Sequence, residues 1–385
     1  MIIGGVSPFR RRMGVCISLT SFTSYLGTIV GVRRWRVFLT VQKKEADMTN
    51  RIRWAVPERV YETTVRTVDR QFLFAPNHHP ENRLLANTCP LNALDLDNDI
   101  IPEPSIINII GSAVGRALEK YPIQIHGLEA SINHIHEMLS ALLEQLGNID
   151  GFMRCAHSLI ARGVNKTWDR EGHVFGARSR IHPCVDDTAA ENKLLYALTN
   201  TIKDNLHERI KERPFFSTYE HQAKGEPLRF WYIDYEAYWA AGGNRKKTHR
   251  VKDYLKWVEW SCTVLPSQAN RTQSQQQTWL RKQVKEIETE CKKERKKNNT
   301  SVIGVAALFE TDPRDRPAIP KKSGRAPLCH ASSKAAREAY EKELRVFVNE
   351  FIKASADYRN GNHEREFPEG SYRPPLIKLY TSSRL

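Results

Sequence analysis

The sequence predicts an α+β fold built on an antiparallel sheet. Segments rich in β-branched and aromatic residues alternate with amphipathic segments of helical period, in the order β-α-β-β-α-β-α. The second and third predicted strands are close enough in sequence to pair as a hairpin. The composition agrees, because a chain of 385 residues that is 40% hydrophobic and 27% charged can bury a core.

The first four elements follow from the local pattern. Residues 63–76 are dominated by Thr, Val and Phe and end in proline, which predicts a strand. A Pro-Ser pair then opens an amphipathic helix over 104–120, with isoleucine, valine and leucine at helical spacing. Residues 122–130 and 132–139 are the two strands of the predicted hairpin.

The next three elements complete this unit. A helix is predicted over 148–167, a fourth strand over 174–181 and a long helix over 186–211. The βαββαβ order is that of a ferredoxin-like, or RRM-like, sandwich, with helices on one face of the sheet and one added helix. We therefore expect a single domain over 48–213.

Beyond residue 213 the sequence predicts a mainly helical C-terminal extension. Its first part, 214–300, is rich in aromatic residues and contains a polar, basic helix over 272–297. Aromatic residues more often form a small core than a platform on which bases stack, and both uses are open here. The second part, 301–385, is a Pro- and charge-rich linker followed by a final helix.

Charge is distributed unevenly along the chain. The formal net charge is +15, yet residues 48–243 carry −4 and residues 244–300 carry +9. A pI near 9.5 predicts a polyanionic partner, with nucleic acid ahead of a membrane surface. The 7 cysteines include no Cys-x-x-Cys pair, which argues against a zinc ribbon and a disulfide framework and fits a reducing cytosol.

The N-terminal segment, 1–47, is a doubtful extension. Residues 13–32 form an uncharged, mostly apolar stretch between arginines, long enough to span a bilayer. This stretch is rich in Ser, Thr and Gly, however, and lacks a small-residue cleavage site. A true start at Met48 explains the segment at least as well as an anchor. A mean hydropathy of −0.54 excludes a polytopic membrane protein, so we expect a cytoplasmic, nucleoid-associated one.

Two short motifs carry groups suited to chemistry. His134 and His136 stand one residue apart on a predicted strand, so both imidazoles point to one face and can share a metal ion. Tyr196 and Asn200 stand four residues apart on a predicted helix and also share a face. Taken separately, each motif is better explained by ordinary structure: two surface histidines, and a tyrosine at a helix–sheet boundary with its hydroxyl in water.

Taken together and in this order, the motifs resemble those of the HUH single-tyrosine transposases, specifically the REP-associated tyrosine transposase group and its insertion-sequence relatives. Asn-His-Ile-His at 133–136, Gly-His-Val-Phe at 172–175 and the segment 196–202 carry the resemblance, which covers about residues 60–220. The sequence departs from the family pattern at Ser131-Ile132, where Met-Pro is usual, at Glu137, where an apolar residue is usual, and at Thr201, where the family has proline.

The resemblance implies a catalytic domain over 48–213 that cleaves and rejoins single-stranded DNA through a 5′-phosphotyrosine. Tyr196 would be the nucleophile, and His134, His136 and Asn200 would bind one Mg²⁺ or Mn²⁺. The implied substrate is single-stranded DNA, at hairpin or palindromic repeat ends, and a homodimer is compatible with this function.

Basic residues near the motifs are expected to line the site and, together with those of the extension, to contact DNA phosphates. The candidates are Arg154, Arg162, Lys166, Arg178, Arg180, Lys246 and Lys247. Two other functions stay open. A non-catalytic, domesticated binding protein for single-stranded nucleic acid predicts that Tyr196→Phe is harmless. A metal-dependent nuclease that uses water predicts no covalent DNA–protein adduct.

Overall fold

The computed structural model describes residues 54–77, 103–243, 250–318 and 327–371. Its centre is a four-stranded antiparallel sheet of order β2-β3-β1-β4. The strands are β1 (Tyr61–Arg66), β2 (Gln124–Ser131), β3 (His134–Ser140) and β4 (Arg180–Pro183). Helices α1 (Ile106–Lys120), α2 (Asn148–Thr167) and α3 (Asp187–Lys203) complete the predicted order, so the α+β, ferredoxin-like class is confirmed.

The sheet is covered on both faces, and the alternation of β3 decides which residues point to which face. Ile135 packs in the core formed with α1 and α2. Met138 packs instead against Leu194 and Leu198 of α3, the added helix. Because successive strand residues point to opposite faces, His134 and His136 share the α3 face with Met138.

Three boundaries differ from the predicted ones by more than two residues. β1 ends at Arg66, because the next residues form a 3-10 turn in which Asp69 has a left-handed φ of 50°. The fourth strand begins only at Arg180, after a run of bends. α3 ends at Lys203 instead of residue 211, and Asn205, with a φ of 57°, turns the chain there, as asparagine tolerates better than most residues.

The C-terminal extension adds a second, two-stranded sheet and five helices among the described residues. These are α4 (Tyr219–Lys224), β5 (Leu228–Ile233), α5 (Tyr235–Ala240), β6 (Leu255–Trp260), α6 (Gln273–Lys297), α7 (Val305–Phe309) and α8 (Lys334–Arg359). Most of the aromatic side chains in 214–263 are buried, Phe230 and Trp260 against α1. α6 packs Leu280 and Val284 against α3. The domain boundaries themselves stay predictions.

At Gly111, α1 packs closely against Phe230 of β5. A Cβ there would lie 2.3 Å from the Phe230 ring. We expect Gly111→Ala to lower the free energy of unfolding by about 1–2 kcal/mol in urea denaturation, because overpacking outweighs the gain in helix propensity. Gly147→Ala is the control, since nothing lies within 4 Å of its added Cβ. Equal effects of the two substitutions would contradict this packing.

None of the helices in the described part of the chain is both long and apolar enough to cross a bilayer. Residues 1–47, including the apolar stretch 13–32, lie outside the described residues.

Candidate functional site

His134 and His136 form the floor of the site on the α3 face of the sheet. Each is only 5% exposed, and their rings lie 4.9 Å apart, nearly perpendicular to each other. His134 Nδ1 donates to Asn133 Oδ1 at 2.8 Å, which leaves Nε2 as the nitrogen with a lone pair. The pair is therefore buried and oriented, which surface histidines would not be.

Tyr196 and Asn200 approach this floor from α3. The helix begins at Asp186, whose carboxylate accepts a hydrogen bond from the Ala189 amide at 2.8 Å. Asn200 Nδ2 then lies 2.8 Å from His134 Nε2, and the Tyr196 ring lies 5.6 Å from the His136 ring. Asn200 is buried, whereas Tyr196 remains 36% exposed. The structure thus brings together all four residues of the two motifs.

His134, His136 and Asn200 carry atoms that are suitable ligands for a divalent cation. His134 Nε2 and His136 are imidazole ligands, and the Asn200 carboxamide carries an oxygen beside the nitrogen that now contacts His134. His136 Nδ1 is already held by Glu62 at 2.8 Å, so Nε2 is the nitrogen of His136 suited to a metal.

Glu62, a residue that the motifs did not indicate, lies at the centre of a second group. Its Oε1 contacts His136 Nδ1 and accepts a hydrogen bond from Thr64 Oγ1 at 2.7 Å. Its Oε2 lies 3.3 Å from His182 Nδ1 and 3.2 Å from His330 Nε2. Burial acts to raise the pKa of Glu62, but hydrogen bonds from its three histidine partners outweigh burial and hold that pKa well below its ordinary value.

Glu62, His182 and His330 together form a candidate metal-binding triad, because their ligand atoms all lie within 4.8 Å of one another. The sequence pattern had no signal for Glu62, because the predicted strand begins one residue later, at 63. It had none for His330 either, which is 268 residues away from Glu62 along the chain.

Cationic side chains surround Tyr196. Lys193 Nζ and Lys203 Nζ lie 4.9 Å and 5.1 Å from its ring centroid. Arg66 stands opposite His134 in the β1–β3 register, and its charge interacts with the Tyr196 phenol. These three residues were not among the sequence candidates, although the spacing of the two lysines already places them on the Tyr196 face of a helix.

The predicted DNA contacts separate into three groups. Arg178 and Arg180 are exposed, and Arg180 pairs with Thr64 across β4 and β1, on the site face. Arg154, Arg162 and Lys166 lie on α2, which covers the opposite face of the sheet, so these three do not line the site around Tyr196. Lys246 and Lys247 lie outside the described residues.

The basic end of α6 lies beside the end of α3. Lys203 of α3 and Cys291 and Arg295 of α6 line a common cavity of about 90 Å³. Several lysines of this part of α6 are exposed, and Lys292 pairs with Glu208 at 3.3 Å. A basic surface therefore begins within one helical turn of Asn200.

Two of the departures from the transposase pattern, Glu137 and Thr201, have structural partners. Glu137 points away from the site: it accepts a hydrogen bond from Thr63 of β1 and lies 3.1 Å from His157 Nε2 of α2. Thr201 Oγ1 donates to the buried carboxylate of Glu129 at 2.8 Å. Threonine does not interrupt a helix as proline can, and α3 continues past this position to Lys203. Neither residue intrudes on the Tyr196 group.

No protein-family model and no curated protein matches the chain. Among solved structures, it is similar to a REP-associated tyrosine transposase bound to a REP hairpin, at 12% identity and a TM-score of 0.30, over 46% of this chain and 86% of that one. It is also similar to a bacterial tRNA(His) guanylyltransferase-like protein in complex with ATP, at 10% identity and a TM-score of 0.26, over 64% of this chain and 99% of that one. Similarity at this level supports no functional assignment, so any assignment has to rest on the geometry of the site.

Proposed function

We propose that this protein is a DNA transesterase of the HUH single-tyrosine transposase kind, which cleaves and rejoins single-stranded DNA with Tyr196 as nucleophile. One observation carries the proposal: a partly exposed phenol stands beside two buried imidazoles and an amide on one face of the sheet. A phenol beside a set of metal-ligand donors is the arrangement that covalent phosphoryl transfer needs.

His134, His136 and Asn200 would hold one Mg²⁺ or Mn²⁺. When bound there, the ion supplies Lewis-acid polarisation of a phosphate oxygen. Asn133 keeps His134 in the tautomer that has a lone pair on Nε2, and Glu62 does the same for His136. The chain's own contribution is thus to fix the tautomer and the orientation of both rings.

The covalent step uses Tyr196 Oη. The oxygen attacks phosphorus, and the phenol proton passes to water, which reaches the 36% exposed side chain. The bond from phosphorus to the 3′ oxygen breaks, and that oxygen takes up a proton, leaving a 5′-phosphotyrosine and a free 3′-hydroxyl. Rejoining is the reverse attack, so it needs no ATP. Lys193 and Lys203 stabilise the negative charge that gathers around the phenol and phosphate oxygens.

A hairpin DNA labelled at one end tests the proposal with the full chain and Mn²⁺. Label at the 3′ end is expected to travel with the protein on a denaturing gel, whereas label at the 5′ end is expected in a shorter free strand. If both fragments run free of protein, the water-using nuclease is correct. Binding without any cleavage would favour the non-catalytic binding protein.

We also propose a division of roles in which residues 48–213 carry out catalysis and the extension, 214–300, makes many of the contacts with DNA phosphates. The site domain alone has a slightly acidic balance, and the basic end of α6 begins beside Lys203. Deleting the extension is a poor test, because Phe230, Trp260 and Leu280 are buried in the two cores around the sheet. Substitution of exposed charges leaves those cores intact.

Replacing Lys293, Lys296 and Lys297 by glutamine is expected to weaken binding of single-stranded DNA and flatten its salt dependence. All three are exposed on α6. Each lost phosphate contact lowers the slope of log K against log salt by about 0.7, so the slope falls by about 2. The control replaces Lys334, Lys342 and Lys353, which are exposed on α8, and makes the same change in net charge. Equal slopes for the two triple variants would mean that these lysines of α6 make no contact with DNA phosphates.

A further inference from the structure

The Glu62 carboxylate contacts two histidines, His182 and His330, that lie far from it along the chain. His182 lies on β4, the strand next to β1. His330 belongs to a short segment that runs beside β4, where its backbone N–H donates to the Pro183 carbonyl at 2.8 Å and its own carbonyl accepts from Val185 at 2.9 Å. Both backbone polar groups of His330 are therefore hydrogen-bonded, which fixes the position of its Cα relative to β4.

Two of the three ligand-atom separations in the triad match those around one ion, and the third is no more than 4.8 Å. Zinc binds imidazole nitrogen and carboxylate oxygen at about 2.0–2.2 Å, and tetrahedral geometry then separates neighbouring ligand atoms by about 3.4 Å. Glu62 Oε2 lies 3.3 Å from His182 Nδ1 and 3.2 Å from His330 Nε2. The two imidazole rings lie 5.3 Å apart at 58°, so they converge on the carboxylate without stacking.

Charge also favours an ion at this position. Glu62 is only 4% exposed. Within the described part of the chain, all the ion pairs of Glu62 are with histidines, none of which carries a permanent charge. A divalent ion would add a full positive charge to a buried carboxylate that is otherwise stabilised by histidine hydrogen bonds.

We propose that Glu62 Oε2, His182 Nδ1 and His330 Nε2 bind one Zn²⁺, with water as the fourth ligand. Two imidazoles and one carboxylate are a usual protein ligand set for zinc. The ion would tie the segment after residue 326 to the central sheet. It would also leave Glu62 Oε1 on His136, so the same carboxylate that binds zinc would orient a histidine of the proposed catalytic group.

Zinc content tests the site without any reference to DNA cleavage. The full chain is loaded with Zn²⁺, dialysed against a weak chelator and analysed by elemental mass spectrometry. We expect about one zinc per chain in the unchanged protein, and at least a tenfold loss in His182→Ala and in His330→Ala. Retained zinc should also raise the thermal midpoint of the unchanged protein and not that of these two variants.

Two controls separate this site from others. His134→Ala should keep its zinc, because His134 belongs only to the proposed catalytic group. His157→Ala removes a histidine from another buried carboxylate, Glu137, and should also keep zinc. If the alanine variants do not fold, the similarly shaped Glu62→Gln should lose zinc while folding. Less than a tenth of a zinc per loaded chain, or loss of zinc that follows His134 and not His330, would overturn the proposal.

Discussion

His134→Ala and His136→Ala are each expected to reduce DNA cleavage by about 1,000-fold or more. Each substitution removes an imidazole from the proposed ligand set, and metal-ion stabilisation of a phosphoryl transition state amounts to several kcal/mol. The rates are to be measured on 3′-labelled hairpin DNA with Mn²⁺ at saturating protein. Excess EDTA should reproduce the effect in the unchanged protein, since the same cation is lost.

Both variants should also lose stability, because His134 and His136 each make hydrogen bonds to buried partners. As surface residues of a strand, the histidines would have cost less than about 0.5 kcal/mol on removal. Both are buried, however, and His136 is a hydrogen-bond partner of the Glu62 carboxylate. We therefore expect His136→Ala to lower the free energy of unfolding by about 1–3 kcal/mol, because it leaves a buried acceptor one bond short.

His157→Ala is the matched control for the loss of cleavage. His157 is also a histidine paired with a buried carboxylate, Glu137, but it lies on α2, across the sheet from Tyr196. It should lose stability and keep the cleavage rate of the folded protein. Normal cleavage by either variant of the His134 and His136 pair, or full activity in EDTA, would remove the metal from the mechanism.

The periodicities of strand and helix were enough to predict which residues of each motif share a face in the proposed catalytic group. A two-residue spacing puts His134 and His136 on one face of β3, and a four-residue spacing puts Tyr196 and Asn200 on one face of α3. Local pattern also predicted the existence and order of the strands and helices. These are short-range properties, and a single sequence carries them without knowledge of the packing.

The parts that local pattern could not predict all depend on packing. An amphipathic helix shows that one side is buried, but not which face of a sheet it covers, so Arg154 and Arg162 were expected at a site that α2 does not reach. The same limit applies to Glu62 and His330, which meet only because the chain returns beside β4 late in the sequence. Burial of the histidine pair follows from α3, whose docking is a tertiary event.

Tyr196→Phe is expected to abolish cleavage and the covalent adduct while leaving DNA binding nearly unchanged. Phenylalanine offers no oxygen to attack phosphorus, so the loss should be complete within detection. Binding should survive, because base stacking and phosphate contacts do not need the phenol oxygen. The ring also keeps its contacts with His136 and with the ammonium groups of Lys193 and Lys203, so the fold should change little.

Tyr235→Phe is the matched control, because Tyr235 is 40% exposed and also lies beside a lysine, Lys166. It should cleave and form the adduct at the normal rate. Mass spectrometry of the trapped adduct should place the DNA on the peptide that contains Tyr196. DNA on another tyrosine would show that the two motifs were wrongly matched to the transposase pattern. Continued cleavage by Tyr196→Phe with no adduct would instead assign the attack to water, since the imidazole and amide donors alone would then suffice for hydrolysis.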